Sequence, residues 1–192
     1  MSGSARYTAI LDACVLYPAP LRDLLLSLAR SGLYHARWTS HIQNEWVRNL
    51  LANRPDLKAE DIERTCRAMN SSVLDCMVEN YEAIASTLTL PDPGDTHVLG
   101  AAIIGHADAI VTFNLKDFPA EMLSPFNIEA QHPDDFIANQ LELRELEALA
   151  AIKAMRARLR NPPKTANELI ATFERNQLSL TASILRTAAD LI

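Results

Sequence analysis

The sequence predicts an α/β fold, a central and mostly parallel sheet followed by an all-helical tail, on three observations. First, Tyr7 to Leu11 is a short β-prone run ending at Asp12, and a leucine-rich stretch of helical spacing follows it, which gives strand, turn and helix in that order. Second, Ala107 to Thr112 is a short continuous apolar run, the pattern of a strand buried on both faces of a parallel sheet. Third, no strand-like run occurs after Leu141, where Leu, Glu, Ala, Lys and Arg dominate.

In chain order, YTAIL is the first strand and Asp12 its terminal carboxylate. Pro20 to Arg30 carries leucines on one face and Arg22, Asp23 and Arg30 on the other, with Gly32 as a fitting stop. His35 to Thr39 is a second short strand. Ser40 with Gln43 forms a capping box, opening a helix that places Glu45 near its first turn and runs through Leu50 and Leu51 until Pro55 forbids its interior. Asp56 to Tyr81 reads as helix, broken at Asn70, Ser71 and Ser72. Asp92 caps a helix starting at Pro93, whose apolar run is Val98, Leu99, Ala101, Ala102 and Ile103. After the Ala107 to Thr112 strand, a loop returns Asn114 and Asp117. Asn127 to Ala130 is the last strand, and Pro133, Asp134 and Asp135 lead into a helix at Phe136. Leu141 to Leu159 is helical until Asn161, Pro162 and Pro163; Thr165 with Glu168 is a second capping box, and Leu178 to Ile192 closes the tail.

A chain of 192 residues accommodates one well-buried domain with an appendage, and the composition divides it at residues 1–140 and 141–192. Cys14, Cys66 and Cys76 are odd in number and lack CxxC spacing, which suggests neither a disulfide framework nor a thiolate zinc site and fits a reducing cytoplasm. Met1 to Arg6 opens no apolar leader, and no apolar run approaches the roughly 20 residues of a membrane span. The net charge of −6 disfavours nucleic-acid binding by bulk charge, although an acidic metal site would itself add to that count. Lys153, Arg156, Arg158 and Arg160 form a late basic cluster, readable as a phosphate-binding patch or as a solvated helix face.

Four acids stand at privileged points: Asp12 at a strand end, Glu45 and Asp95 at helix starts, and Asp117 after a strand. Parallel strands joined by right-handed crossovers bring strand ends and the following helix starts to one sheet edge. Carboxylates crowded there repel one another unless a cation lies between them, and hard oxygen ligands suit Mg²⁺ or Mn²⁺. Such a site serves phosphodiester hydrolysis, with Asn114 and Thr112 as neutral groups for water or phosphate. Each acid also has a local reading: Glu45 as a first-turn helix acid, Asp95 as part of the Asp92 cap, Asp117 as a turn cap, Asp134 and Asp135 as N-terminal helix acids. Cys14 reads as a small buried hydrophobe, His97 as a satisfied, partly buried histidine, and His41 and His106 as surface residues.

The succession ILDACVLYP, WTSHIQNEWVRNLL, LPDPGDTHVLGAAI and ADAIVTFNLKDFP resembles the PIN-domain family of metal-dependent ribonucleases, in the branch related to VapC-type toxins of toxin–antitoxin pairs. The resemblance covers Tyr7 to Phe136, and the later helices look like the C-terminal extension of one subgroup. It implies a three-layer α/β/α sandwich, with Asp12 and Asp95 as principal metal ligands, Glu45 as a further acid of the pocket, and Asp117 with Asn114 completing it. It also implies Mg²⁺ or Mn²⁺, an RNA substrate, a homodimer and a small antitoxin that blocks the site. In this branch the segment around Asp95 commonly reads Asp-Asp-Arg-His; here Gly94 and Thr96 replace the neighbouring acid and the arginine, so Asp95 is retained and a phosphate-binding arginine is not. Two other classes compete. Aspartyl-phosphate enzymes also place an Asp at a parallel strand end, but the dehalogenase-like ones need a second Asp two residues on, where this chain has Cys14. A catalytically weak or inactive fold of the same kind, kept to bind a partner protein or RNA, is the other alternative.

Overall fold

The computed structural model describes residues 7–192; the reading of Met1 to Arg6 lies outside them. The expected α/β sandwich is present, with four short strands among the described residues, all parallel: β1 (Thr8–Leu11), β2 (His35–Arg37), β3 (Ala109–Val111) and β4 (Glu129–Gln131), in the spatial order β2-β1-β3-β4. Every residue of β1 and β3 is buried, because these central strands have neighbours on both edges. Each of Ile10, Leu11, Ile110 and Val111, all fully buried, contributes about 1.5 to 3 kcal/mol through the apolar surface it removes from water. The chain moves from β1 outward to β2 and then back across β1 to β3. The order therefore reverses between β1 and β3, and the crevice beyond their carboxyl ends is the topological switch point of the sheet.

The chain divides into two compact units. The first comprises the described part of Met1–Tyr17 together with Tyr34–His132. It holds the sheet and helices α1 (Ala13–Leu16), α3 (Ser40–Asn53), α4 (Ala59–Ser72), α5 (Glu82–Ala85), α6 (Thr96–Ile104) and α7 (Ala120–Leu123), numbered so that α2 (Ala19–Arg30) falls in the second unit. Within the first unit α6 packs on β1 and β3, α5 on α6, and α1 on α3. Gly100 permits the α5–α6 approach, since a Cβ there would stand 2.8 Å from that of Ala85. The second unit, Pro18–Leu33 with Pro133–Ile192, is entirely helical. There α2 and α8 (Pro133–Leu143) pack on α9 (Glu145–Arg158), while α10 (Ala166–Arg175) and α8 pack on α11 (Ser179–Thr187).

Several element limits differ from the sequence reading, each for a local reason. The helix after β2 is capped by Thr39, whose hydroxyl accepts from the Ile42 N–H at 3.0 Å. Ser40 is thus its first helical residue, and Glu45 falls in the second turn, not the first. The helix read through Tyr81 ends at Ser72; beyond it Trp38 donates to Cys76 O and accepts from Val78 N, so this segment lies as a parallel bridge beside Trp38. The last strand starts at Glu129, because Asn127 takes a left-handed turn at φ 56. The long helix from Leu141 is interrupted at Arg144, which adopts φ −145 and ψ 63 between α8 and α9. The Thr165–Glu168 capping box is formed, and Gly32 stops α2 at φ 78, a conformation in which a Cβ is strained.

Within the second unit two residues of the basic cluster, Arg156 and Arg158, are engaged internally. Arg158 reaches Asp23 at 3.2 Å and Ser27 at 2.8 Å, and Arg156 donates to Lys164 O at 3.1 Å. Asp134 is buried and serves a helix other than its own: its carboxylate accepts from the Leu180 and Thr181 N–H groups, each at 2.8 Å. That supplies α11 with the anion its N-terminus lacks among its own residues.

Candidate acidic site at the ends of strands β1 and β3

The switch point is built from the residues that follow β1 and β3. Asp12 follows Leu11 directly, and its N–H donates to Val111 O at 3.2 Å, which places it beside the end of β3. Only 5 % of its surface is exposed, so its carboxylate requires internal donors. Three supply them: the Ala13 N–H at 2.6 Å, the Thr112 hydroxyl at 2.7 Å and the Cys14 thiol at 3.0 Å. Burial raises the Asp12 pKa, these three hydrogen bonds oppose the rise, and the charge of Glu45 adds to it. The Cys14 thiol is pushed well above its ordinary range, first by burial and then by Asp12; it stays protonated and is a donor. Its sulfur also accepts the Phe113 N–H at 3.3 Å. Cys14 is thus a hydrogen-bonding part of the site and not simply a small hydrophobe.

Thr112 is fully buried, donates to Asp12 and accepts the Asn114 N–H at 3.0 Å. Its hydroxyl is committed to holding the loop and the carboxylate, which corrects the reading of it as a group for water or phosphate. Asn114 itself is exposed, immediately before the 3-10 turn Leu115–Asp117. Asp95 ends a second 3-10 turn, Pro93–Asp95, that Asp92 caps through the Gly94 N–H at 2.7 Å. Asp95 makes no side-chain capping bond to α6, so its carboxylate is not consumed by the local role proposed for it.

The acids share one electrostatic field. Asp95 has its pKa raised to about 6, first by burial, then by the charges of Asp12, Asp92, Asp117 and Glu45. Glu45 moves the opposite way, held below the usual carboxylate range chiefly by His97, whose Nε2 lies 3.6 Å from a Glu45 oxygen. Groups whose environments push their pKa values apart in this way are what functional sites contain.

Sequence reasoning gave the two histidines beside Glu45 no part in the site, reading His97 as a satisfied, partly buried residue and His41 as a surface one. His97 is 7 % exposed, and the exposed His41 stacks on it with ring centroids 3.8 Å apart and planes 13° apart. The signal was present: His41 and Glu45 are four residues apart on α3 and so share a face, and His97 lies two residues past Asp95 in the first turn of α6.

A divalent cation fits this donor set by chemistry. All the acids offer hard oxygen, and their mutual repulsion is what a cation relieves. Among the described residues, no three or more His, Cys, Asp or Glu side chains stand as a group that could hold a metal ion. The acids share a field without being closed into a ligand cage. No helix of the described residues is long and apolar enough to cross a membrane.

Comparison with known proteins agrees with this architecture. The PIN domain family model matches residues 8–116, and the model of the VapC50 C-terminal domain matches residues 133–187. A protein of Mycobacterium tuberculosis (strain ATCC 25618 / H37Rv), named "Putative ribonuclease VapC50", is 46 % identical over 76 residues. That match covers 40 % of this chain and 45 % of the relative, so it spans just under half of the relative's length. No solved structure matches the chain. The first of these matches takes in β1, the Glu45 helix, the Asp95 turn and β3, and the second takes in the helices from α8 to α11: the chain belongs to the PIN-domain family, in the VapC-type branch that carries a C-terminal helical extension.

Proposed function

We propose that this chain is a Mg²⁺- or Mn²⁺-dependent endoribonuclease acting through Asp12, Glu45, Asp95, Asp117 and Asn114, and that it is the toxin of a toxin–antitoxin pair. The observation that carries the reading is the setting of Asp95, whose pKa is raised to about 6 first by burial and then by the charges of four other acids within electrostatic reach. The relative's name, "Putative ribonuclease VapC50", supports the substrate class.

In this reading Asp12, Asp95, Glu45 and Asp117 hold the cation. When bound, it supplies charge neutralisation at the phosphate and an activated water. The chain's own residues do the rest. Three donors fix the Asp12 carboxylate in one orientation, which lowers the reorganisation a ligand would otherwise need. Thr112 ties the backbone of Asn114 to the Asp12 carboxylate, so the Asn114 amide enters solvent at the edge of the acidic field as a neutral group for water or a phosphate oxygen. We further propose that the helical extension begins at Pro133, ahead of the boundary read at residue 141, which falls inside α8, with a small antitoxin protein as partner, a homodimer as the assembly and the cytoplasm as the location.

Cleavage of a fluorescent single-stranded RNA panel, with Mn²⁺, with Mg²⁺ and in EDTA, tests the reading. Cleavage should require added metal, and Asp12→Asn or Asp95→Asn should lower turnover by at least about a hundredfold with the fold intact. Equal cleavage in EDTA would refute metal dependence. A chain that neither cleaves RNA nor takes up Mn²⁺ at millimolar concentration would instead be a PIN-fold binding module.

A further inference from the structure

We infer that the stacked His97–His41 pair is a positioning device that holds the Glu45 carboxylate toward the acidic site. The inference rests on the metal-binding reading above and adds two residues to which that reading gives no role. His97 comes from the first turn of α6, immediately after the turn that carries Asp95, and its Nε2 stands 3.6 Å from a Glu45 oxygen. At 3.6 Å this is an electrostatic contact, longer than a direct hydrogen bond, between the carboxylate and the Nε2 edge of the ring. The other ring nitrogen, Nδ1, is buried and has no hydrogen-bond partner among the described residues. The ring is thus directed by Glu45 on one side and by nothing polar on the other, and a polar atom left buried and unpartnered in a native fold calls for a reason.

His41 supplies the ring's second restraint. It sits one turn before Glu45 on the same face of α3, and its imidazole covers that of His97 almost in parallel. The ring that contacts Glu45 is therefore clamped by the helix that bears Glu45, and the pair joins α3 to the Asp95 turn. Outer partners of this kind orient ligating carboxylates, and their loss typically lowers metal affinity roughly 10- to 100-fold. His97 and His41 act through Glu45 and touch neither cation nor RNA.

Titration of the full chain with Mn²⁺ by calorimetry reads this directly, without turnover. His97→Leu, which keeps an apolar side chain of similar bulk, should weaken Mn²⁺ binding about tenfold or more, while His97→Gln, which returns an N–H near the Nε2 position, should recover most of the affinity. His41→Ala, at an exposed position, should weaken binding in the same direction and carries the test should the buried variant fail to fold. In a Glu45→Gln background neither histidine substitution should cause a further loss, the non-additivity expected of residues acting through one another. Wild-type affinity in His97→Leu or in His41→Ala would overturn the inference and leave the acidic site standing. Absence of Mn²⁺ binding by the unsubstituted chain would overturn the acidic-site reading, and this inference with it.

Discussion

If the acids crowd Asp95 as the structure indicates, neutralising it should make the metal-free protein more stable. Asp95 has its pKa raised from 3.8 to about 6, so the fold binds its proton more tightly than the unfolded chain does. Stability therefore falls as pH rises from about 4 to 6, and the loss is complete above about 6. A shift of about two units corresponds to about 3 kcal/mol at full strength. Because Asp95 is only partly buried, solvent screening reduces the realistic figure to about 1 kcal/mol. Asp95→Asn removes the charge, keeps the shape and breaks no capping bond, since the carboxylate makes none to α6. In EDTA at pH 7.5 it should raise the melting temperature by about 2 to 4 °C, and near pH 3.5 the gain should vanish. Saturating Mn²⁺ should invert the order, stabilising the unsubstituted protein by mass action and the variant far less. Scanning calorimetry at the two pH values, with and without Mn²⁺, decides. A variant less stable than the parent in EDTA at pH 7.5 would refute the crowding argument.

Other substitutions probe single links. Thr112→Val removes a buried hydroxyl that donates to Asp12 and accepts from Asn114; unfolding in urea should show a loss of about 1 to 3 kcal/mol, with Thr112→Ser largely restoring it. Asp134→Ala leaves the Leu180 and Thr181 N–H groups without their acceptor and should cost about 2 to 4 kcal/mol in the same assay, with Asp134→Asn recovering only part of it, because its single amide oxygen accepts from one N–H and its amide nitrogen faces the other. Gly100→Ala forces a Cβ to 2.8 Å from that of Ala85 and should lower stability by about 1 to 3 kcal/mol, measured by thermal melting against Ala102→Gly as a nearby control for helix propensity.

Element types were legible where one physical rule acted alone. The continuous apolar run of β3, the leucine spacing of α2, the glycine that stops it and the Thr165 capping box all stand as read. The reading slipped where two rules competed. Thr39 and Ser40 are both good caps, and only the path of the chain leaving β2 selects Thr39. The segment after Ser72 keeps helix-compatible composition but pairs with Trp38, a tertiary bond that no local pattern encodes.

The candidate acids were readable one by one, since each occupies a position that a parallel sheet makes privileged. What the linear order determined by itself was therefore the class of fold, the family and the short roll of acids. The tertiary structure alone decided how those acids are held. Thr112 is turned inward to Asp12 across the sheet, the Cys14 thiol is a donor, and two histidines from different helices stack beside Glu45. Strand ends and helix starts follow from periodicity and local sterics, which are properties of neighbours in sequence. A hydrogen bond between residues one hundred positions apart, such as Thr112 to Asp12, exists only once strand pairing has closed the distance, so its partners cannot be read before the sheet is formed.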